Sequence, residues 1–162
     1  MVCYTDGSAS PNPGPAGSGA VICLPGDSNG LRIDLGAALG HGTNNLAEVY
    51  AVGVCLQVLL RFFPVRHFRD VAVFTDSKYV LSVLSSRSNP TSNVHAVLAV
   101  RSLLRDCSRL FLVSLRWLKG HVGIPGNALA DSIAGHFASV SARVSHLPPQ
   151  SFTMAFFSPL RP

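Results

Sequence analysis

Short apolar runs separated by Gly/Pro-rich breaks fill the first third of the chain, and apolar positions at helical spacing fill most of the rest. Val2 to Thr5 reads as a short strand ending at Asp6. The stretch GSASPNPGPAGSG, residues 7–19, has the composition of a loop. Gly19 to Leu24 reads as a second strand. PGDSNG is a turn, and Leu31 to Leu35 alternates apolar and polar as a half-buried third strand. Three strands joined this closely predict an antiparallel meander. From Thr43 onward the period changes to that of a helix. Leu46, Val49, Val52, Gly53, Leu56, Leu59 and Leu60 share one face, Thr43, Asn44 or Asn45 can cap it, and Pro64 ends it. Val71 to Thr75 then predicts a fourth strand, Ser77 to Ser85 a helix, and Val94 to Asp106 another. Leu110 to Trp117 predicts a fifth strand and Ala128 to Ser141 a last helix. Strands separated by helices imply parallel neighbours and right-handed crossovers. The expected fold is α/β: a mixed five-stranded sheet, three strands antiparallel and two parallel, flanked by helices. Residues 1–141 form the expected domain. Residues 142–162 form a Pro-rich C-terminal extension, a linker, or a segment that packs elsewhere.

Composition adds little to that pattern. With 162 residues and 48% hydrophobic content the chain can bury a real core. The longest apolar stretch, Val49 to Val65, holds Gln57, Arg61 and Pro64, so it is expected as a buried helix, with no membrane partner. Met1 to Gly7 carries neither a basic nor an apolar leader segment, which predicts an intracellular, unsecreted domain. Cys3, Cys23, Cys55 and Cys107 are far apart and form no zinc or redox motif. They are expected as small apolar fillers in a reducing compartment. The net charge of +5 comes from scattered arginines and suits a nucleic-acid partner without requiring one.

The acids change the picture. There are eight Asp and Glu residues. Asp6 follows the first strand and Asp76 the fourth. If those strands are parallel neighbours, both carboxylates reach the carboxyl edge of the sheet, where open α/β sheets place their sites. Glu48 lies one turn into the first long helix, and Asp131 lies near the start of the last. Only Lys78 is near them as a counter-charge. Taken singly, each has an ordinary reading: a turn residue, a helix cap, a dipole partner, a solvated helix residue. Together they would repel strongly, and divalent cations resolve that repulsion at least cost. Two Mg²⁺ ions about 3.5–4 Å apart can activate a water and stabilise a leaving oxygen in phosphoryl chemistry. Mn²⁺ is an alternative.

YTDGSASPNPGPAGSGAVI, TNNLAEVYAV, FTDSKYVLSVL and KGHVGIPGNALAD, in that order and spacing, resemble the ribonuclease H family over roughly residues 2–140. The wording GHVGIPGN resembles most the ribonuclease H domains carried by non-LTR retrotransposon polyproteins. The resemblance implies Mg²⁺-dependent cleavage of the RNA strand of an RNA–DNA hybrid, with Asp6, Glu48, Asp76 and Asp131 as metal-ligating catalytic acids. It implies His121 as a histidine that assists proton transfer or product release. It places Gly7, Ser8, Asn12, Asn44, Asn45 and Asn127 as substrate contacts, some of them reading the 2′-hydroxyl that separates RNA from DNA. The implied partners are the hybrid itself and flanking polymerase domains, with the isolated domain monomeric.

Two departures qualify this. Many relatives have Glu after the asparagine of GN, and here it is Ala128. Some relatives grip the hybrid with a basic, tryptophan-containing helix, but Leu81 to Phe111 has no lysine, no tryptophan and four arginines. Weak substrate grip by this domain alone is expected. Two other function classes fit the fold: a catalytically silent nucleic-acid-binding or connection domain, and a DNA-transferring or junction-cutting enzyme. The intact acid set counts against the first. The combination of TNN-x-AE with a late GH loop counts against the second.

Overall fold

The computed structural model describes residues 1–25, 31–63, 69–86, 89–120, 123–144 and 153–156. Three antiparallel strands, β1 (Val2–Ala9), β2 (Gly14–Cys23) and β3 (Arg32–Gly42), form the expected meander. Helix α1 (Asn44–Phe62) follows, then β4 (Asp70–Thr75), α2 (Lys78–Ser85), α3 (Val94–Leu110), β5 (Leu112–Trp117) and α4 (Pro125–Arg143). β4 pairs in parallel with β1, and β5 in parallel with β4. The tail supplies β6 (Thr153–Phe156), which pairs antiparallel with β3. The sheet therefore runs β5-β4-β1-β2-β3-β6, the five expected strands plus one from the tail.

Alternation along β2 sorts the helices onto two faces. Ser18 points at α1 and donates its hydroxyl to Ala47 O at 2.6 Å. Its neighbours Gly17 and Gly19 face the other way, against α4. A methyl group at Gly19 would lie 2.1 Å from Ala130 O, and one at Gly17 would lie 2.2 Å from Ala138 N. The Gly/Ala content of residues 14–19 is thus a strand surface cut down to admit a helix backbone, not a loop. Only residues 10–13 connect β1 to β2. The same misreading shortened the expected third strand: GAALG belongs to β3, where Gly36 lies under the Phe137 ring.

α1 is apolar nearly all round because it is covered nearly all round, by the sheet below and α3 above. It is long and apolar enough to cross a membrane, yet its large buried side chains, among them Val49, Val52, Leu56 and Leu59, belong to the main core. Thr43 caps it, accepting from Leu46 N. Gly53 lets α3 approach, since a methyl group there would lie 2.9 Å from a Val100 methyl. Cys3, Cys55 and Cys107 are buried in this core as free thiols, and Cys23 is half-buried.

Candidate active site

Three elements bring the acids together. Tyr4 and Phe74 are paired in the parallel register and their rings stack at 5.6 Å. Two residues further along each strand, Asp6 and Asp76 arrive level with each other. Asp6 lies within β1, which continues to Ala9, and Asp76 lies just past the end of β4. Glu48 comes from the second turn of α1. Gly7 lets that helix end abut the strand: a methyl group there would lie 2.2 Å from Glu48 N. Carboxylate oxygens of Asp6, Glu48 and Asp76 consequently lie within 4.8 Å of one another.

The ordinary reading of Asp76 as a helix cap does not hold. Ser77 caps α2, accepting from Val80 N, while Ser77 N donates to Thr75 Oγ1 at 3.1 Å. The Asp76 carboxylate is left free to face the other two acids. Its neighbour across the sheet edge is the turn after β5, where a methyl group on Gly120 would lie 2.4 Å from Asp76 Oδ2.

The electrostatics are unfavourable for three bare carboxylates. Asp6 is only 6% exposed. Burial first, then the Asp76 charge, pushes its carboxyl up to about 7, against a hydrogen bond from Gly7 N at 2.7 Å that favours the charged form. Burial and the charges of Asp6 and Asp76 push Glu48 up to about 9. Glu48 Oε2 is buried with no hydrogen-bond partner. The described ion pairs, Arg32–Asp34 and Arg109–Asp106, lie elsewhere. An orphaned buried oxygen beside two more carboxylates, all hard oxygen donors, fits a divalent cation such as Mg²⁺.

Asp131 is exposed on α4 and stands outside the group of three, although its charge contributes to raising Asp6. His121 lies outside the described residues. Asn12 and Asn44 are tied to the protein. Asn12 Oδ1 accepts from Asn44 N at 3.2 Å, and Asn44 Oδ1 accepts from Ala9 N. Asn45 is exposed beside them at the start of α1, and Ser8 is half-buried on β1. Asn127, in the first turn of α4, is 4% exposed, and its Oδ1 has no hydrogen-bond partner.

Sequence reasoning passed over Trp117. Its indole Nε1–H donates to Asp76 O at 3.1 Å, and the Lys78 ammonium lies 5.5 Å from its ring centroid. The available signal was its place as the single tryptophan, immediately before LKGH.

The sequence profile of the RNase H family matches residues 1–139. The chain is 33% identical over 147 residues to the ribonuclease H of Maricaulis maris (strain MCS10), covering 83% of this chain and 90% of that one. The crystal structure of RNase H1 from the halophilic archaeon Halobacterium salinarum shares 26% identity at a TM-score of 0.66, over 86% of this chain and 97% of that one. LC11-RNase H1, solved in complex with an RNA/DNA hybrid, superposes at a TM-score of 0.70 over 87% of this chain and 98% of that one. At 24% identity that last likeness is one of fold.

Proposed function

This chain belongs to the ribonuclease H family, and from that premise we propose that it hydrolyses the RNA strand of RNA–DNA hybrids by a two-metal-ion mechanism. Its enzyme class is ribonuclease H, a phosphodiester hydrolase. The observation that carries the mechanism is the convergence of Asp6, Glu48 and Asp76 with a buried Glu48 oxygen left unpartnered. These three acids, with Asp131 flanking them, would hold the ions, Mg²⁺ or Mn²⁺. When bound, such ions supply Lewis-acid charge at the scissile phosphate and acidify the attacking water. The chain's own residues do the positioning. Gly7 N orients Asp6 at 2.7 Å, and Ser77 leaves the Asp76 carboxylate free by capping α2 itself. His121 takes the proton-transfer or product-release role.

Hybrid selectivity requires a contact to the 2′-hydroxyl. The backbone at Gly7–Ser8, the Asn12–Asn44 pair, exposed Asn45 and Asn127 are the groups proposed to make it or to frame it. LC11-RNase H1, of the same fold, was solved with such a hybrid, which supports the substrate class. Residues 1–141 would be the catalytic domain and 142–162 an extension, in an intracellular compartment that keeps the cysteines reduced.

A finer assignment places the domain in a non-LTR retrotransposon reverse transcriptase polyprotein. The wording of residues 119–127 supports it, as does the absence of lysine and tryptophan from residues 81–111, which leaves grip to flanking polymerase domains. The bacterial relative supports a free-standing enzyme instead. Hybrid affinity separates the two: nanomolar binding by this chain alone would exclude dependence on neighbours.

The function is tested with labelled RNA–DNA hybrid, duplex DNA and duplex RNA, each with Mg²⁺ and with chelator. Cutting of the RNA strand of the hybrid alone is expected, abolished by chelator and by Asp76→Asn. Activity that survives Asp76→Asn, or that prefers duplex DNA, would contradict the reading.

A further inference from the structure

Asp76 is the one ligand of the acid cluster that is not held within a strand or helix. It sits in the single-residue gap between β4 and the α2 cap. A carboxylate in such a place needs its main chain fixed from outside if it is to meet a cation in a set geometry. The end of β5 does this. Thr75 and Trp117 are paired in the parallel register, and Leu118 N donates to Thr75 O at 3.0 Å. The Trp117 indole N–H then reaches one residue further, to Asp76 O at 3.1 Å. The same ring faces the Lys78 ammonium at 5.5 Å. Lys78 is two residues from Asp76 and is exposed. Without a competing partner its ammonium would be drawn onto the nearest unpaired carboxylate, where a cation is to bind. The aromatic face gives it another place to rest.

We propose that Trp117 is a positioning residue for the metal-dependent reaction: its N–H fixes the main chain of Asp76, and its ring keeps the Lys78 ammonium beside the carboxylate cluster rather than on it. This rests on the metal-binding reading of the cluster. Nearly half of the Trp117 surface, 47%, is exposed, so the ring is not a core residue whose loss would unfold the domain.

The test uses Mg²⁺ affinity, measured by calorimetry on the metal-free protein, with hybrid cleavage alongside. Trp117→Phe keeps the aromatic face and removes the donor. It is expected to weaken Mg²⁺ binding about fivefold, the worth of one hydrogen bond, and to lower kcat with KM for the hybrid unchanged. Trp117→Leu removes both contacts and is expected to weaken binding further. Adding Lys78→Gln should recover part of the loss in Trp117→Leu and none in Trp117→Phe. Because Trp117 is the chain's only tryptophan, the unmodified protein gives an independent readout. Its emission should shift along the Mg²⁺ titration and stay still in Asp76→Asn. Variants that bind Mg²⁺ like the parent, or an emission that does not move up to saturation, would overturn the proposal. Absence of Mg²⁺ binding by the parent protein would instead remove the function reading on which it rests.

Discussion

Two parts of this molecule press backbone against side chain at close range, and they satisfy their polar atoms in opposite ways. At the seam between α4 and the β2–β3 pair, the register shifts between Ala16 and Gly17, and Gly40 takes a φ of 70°. Ser141, from α4, fills the irregularity. Its hydroxyl accepts from Leu39 N and Gly40 N, both at 3.1 Å, and donates to Ala16 O at 2.6 Å. Two N–H groups and one carbonyl beside the bulge are matched by that single hydroxyl. At the acid edge, a few residues along the same sheet, Glu48 Oε2 has no partner and two carboxyls are driven far above their ordinary values. The fold is held together at the seam and held under electrostatic strain at the edge. Such a conflict with folding marks this edge as the candidate functional site.

That contrast can be broken from either side. The largest effect is expected at the edge: Asp6→Asn should lower hybrid cleavage by about a thousandfold, roughly 4 kcal/mol in the barrier, while the metal-free protein becomes more resistant to denaturant. Next comes the seam, where Gly19→Ala must displace α4 from Ala130 O. A loss of at least about 3 kcal/mol in unfolding free energy is expected by urea titration, with any residual folded protein still cleaving. Ser141→Ala should cost about 2 kcal/mol of stability, because buried N–H and C=O groups lose their partner, with kcat unaltered. The smallest of the four is Gly120→Ala, which pushes on Asp76 Oδ2. About a tenfold fall in kcat is expected from misplacing one ligand, with a melting temperature close to that of the parent.

What could be read before folding follows the same division. Charges are conspicuous in a chain with 13% charged residues, so carboxylates that end apolar runs stand out; the strand-end placement holds for Asp76, whereas Asp6 lies within β1, which runs on to Ala9. The seam was hidden. A glycine that opens a loop and a glycine that admits a helix backbone look alike until the helix is placed, so the composition of residues 14–19 predicts a loop where β2 runs. Gly36 and its neighbours likewise looked like the end of a strand that continues to Gly42. The role of Trp117 depends on the β4–β5 register, which no local pattern encodes. Asp131 stood out with its fellow acids, yet it lies outside the tight group of three, because α4 presents it from the exposed side. The tail strand had no period of its own and owes its form to the edge of β3.

The linkage between charge and stability gives the most direct test. Asp6 and Glu48 have folded-state values of about 7 and about 9, above their ordinary values. The folded state therefore holds more protons than the unfolded one between those limits. Metal-free stability is full in acid and falls as pH rises through about 7 and then about 9. The decisive measurement is the melting temperature of the parent and of Glu48→Gln at pH 8, each with chelator and with excess Mg²⁺. With chelator the variant should melt above the parent. With Mg²⁺ the parent should rise and the order should reverse, because only the intact cluster gains from the ion. A variant that melts below the parent without metal, or a parent that Mg²⁺ leaves unmoved, would contradict the account.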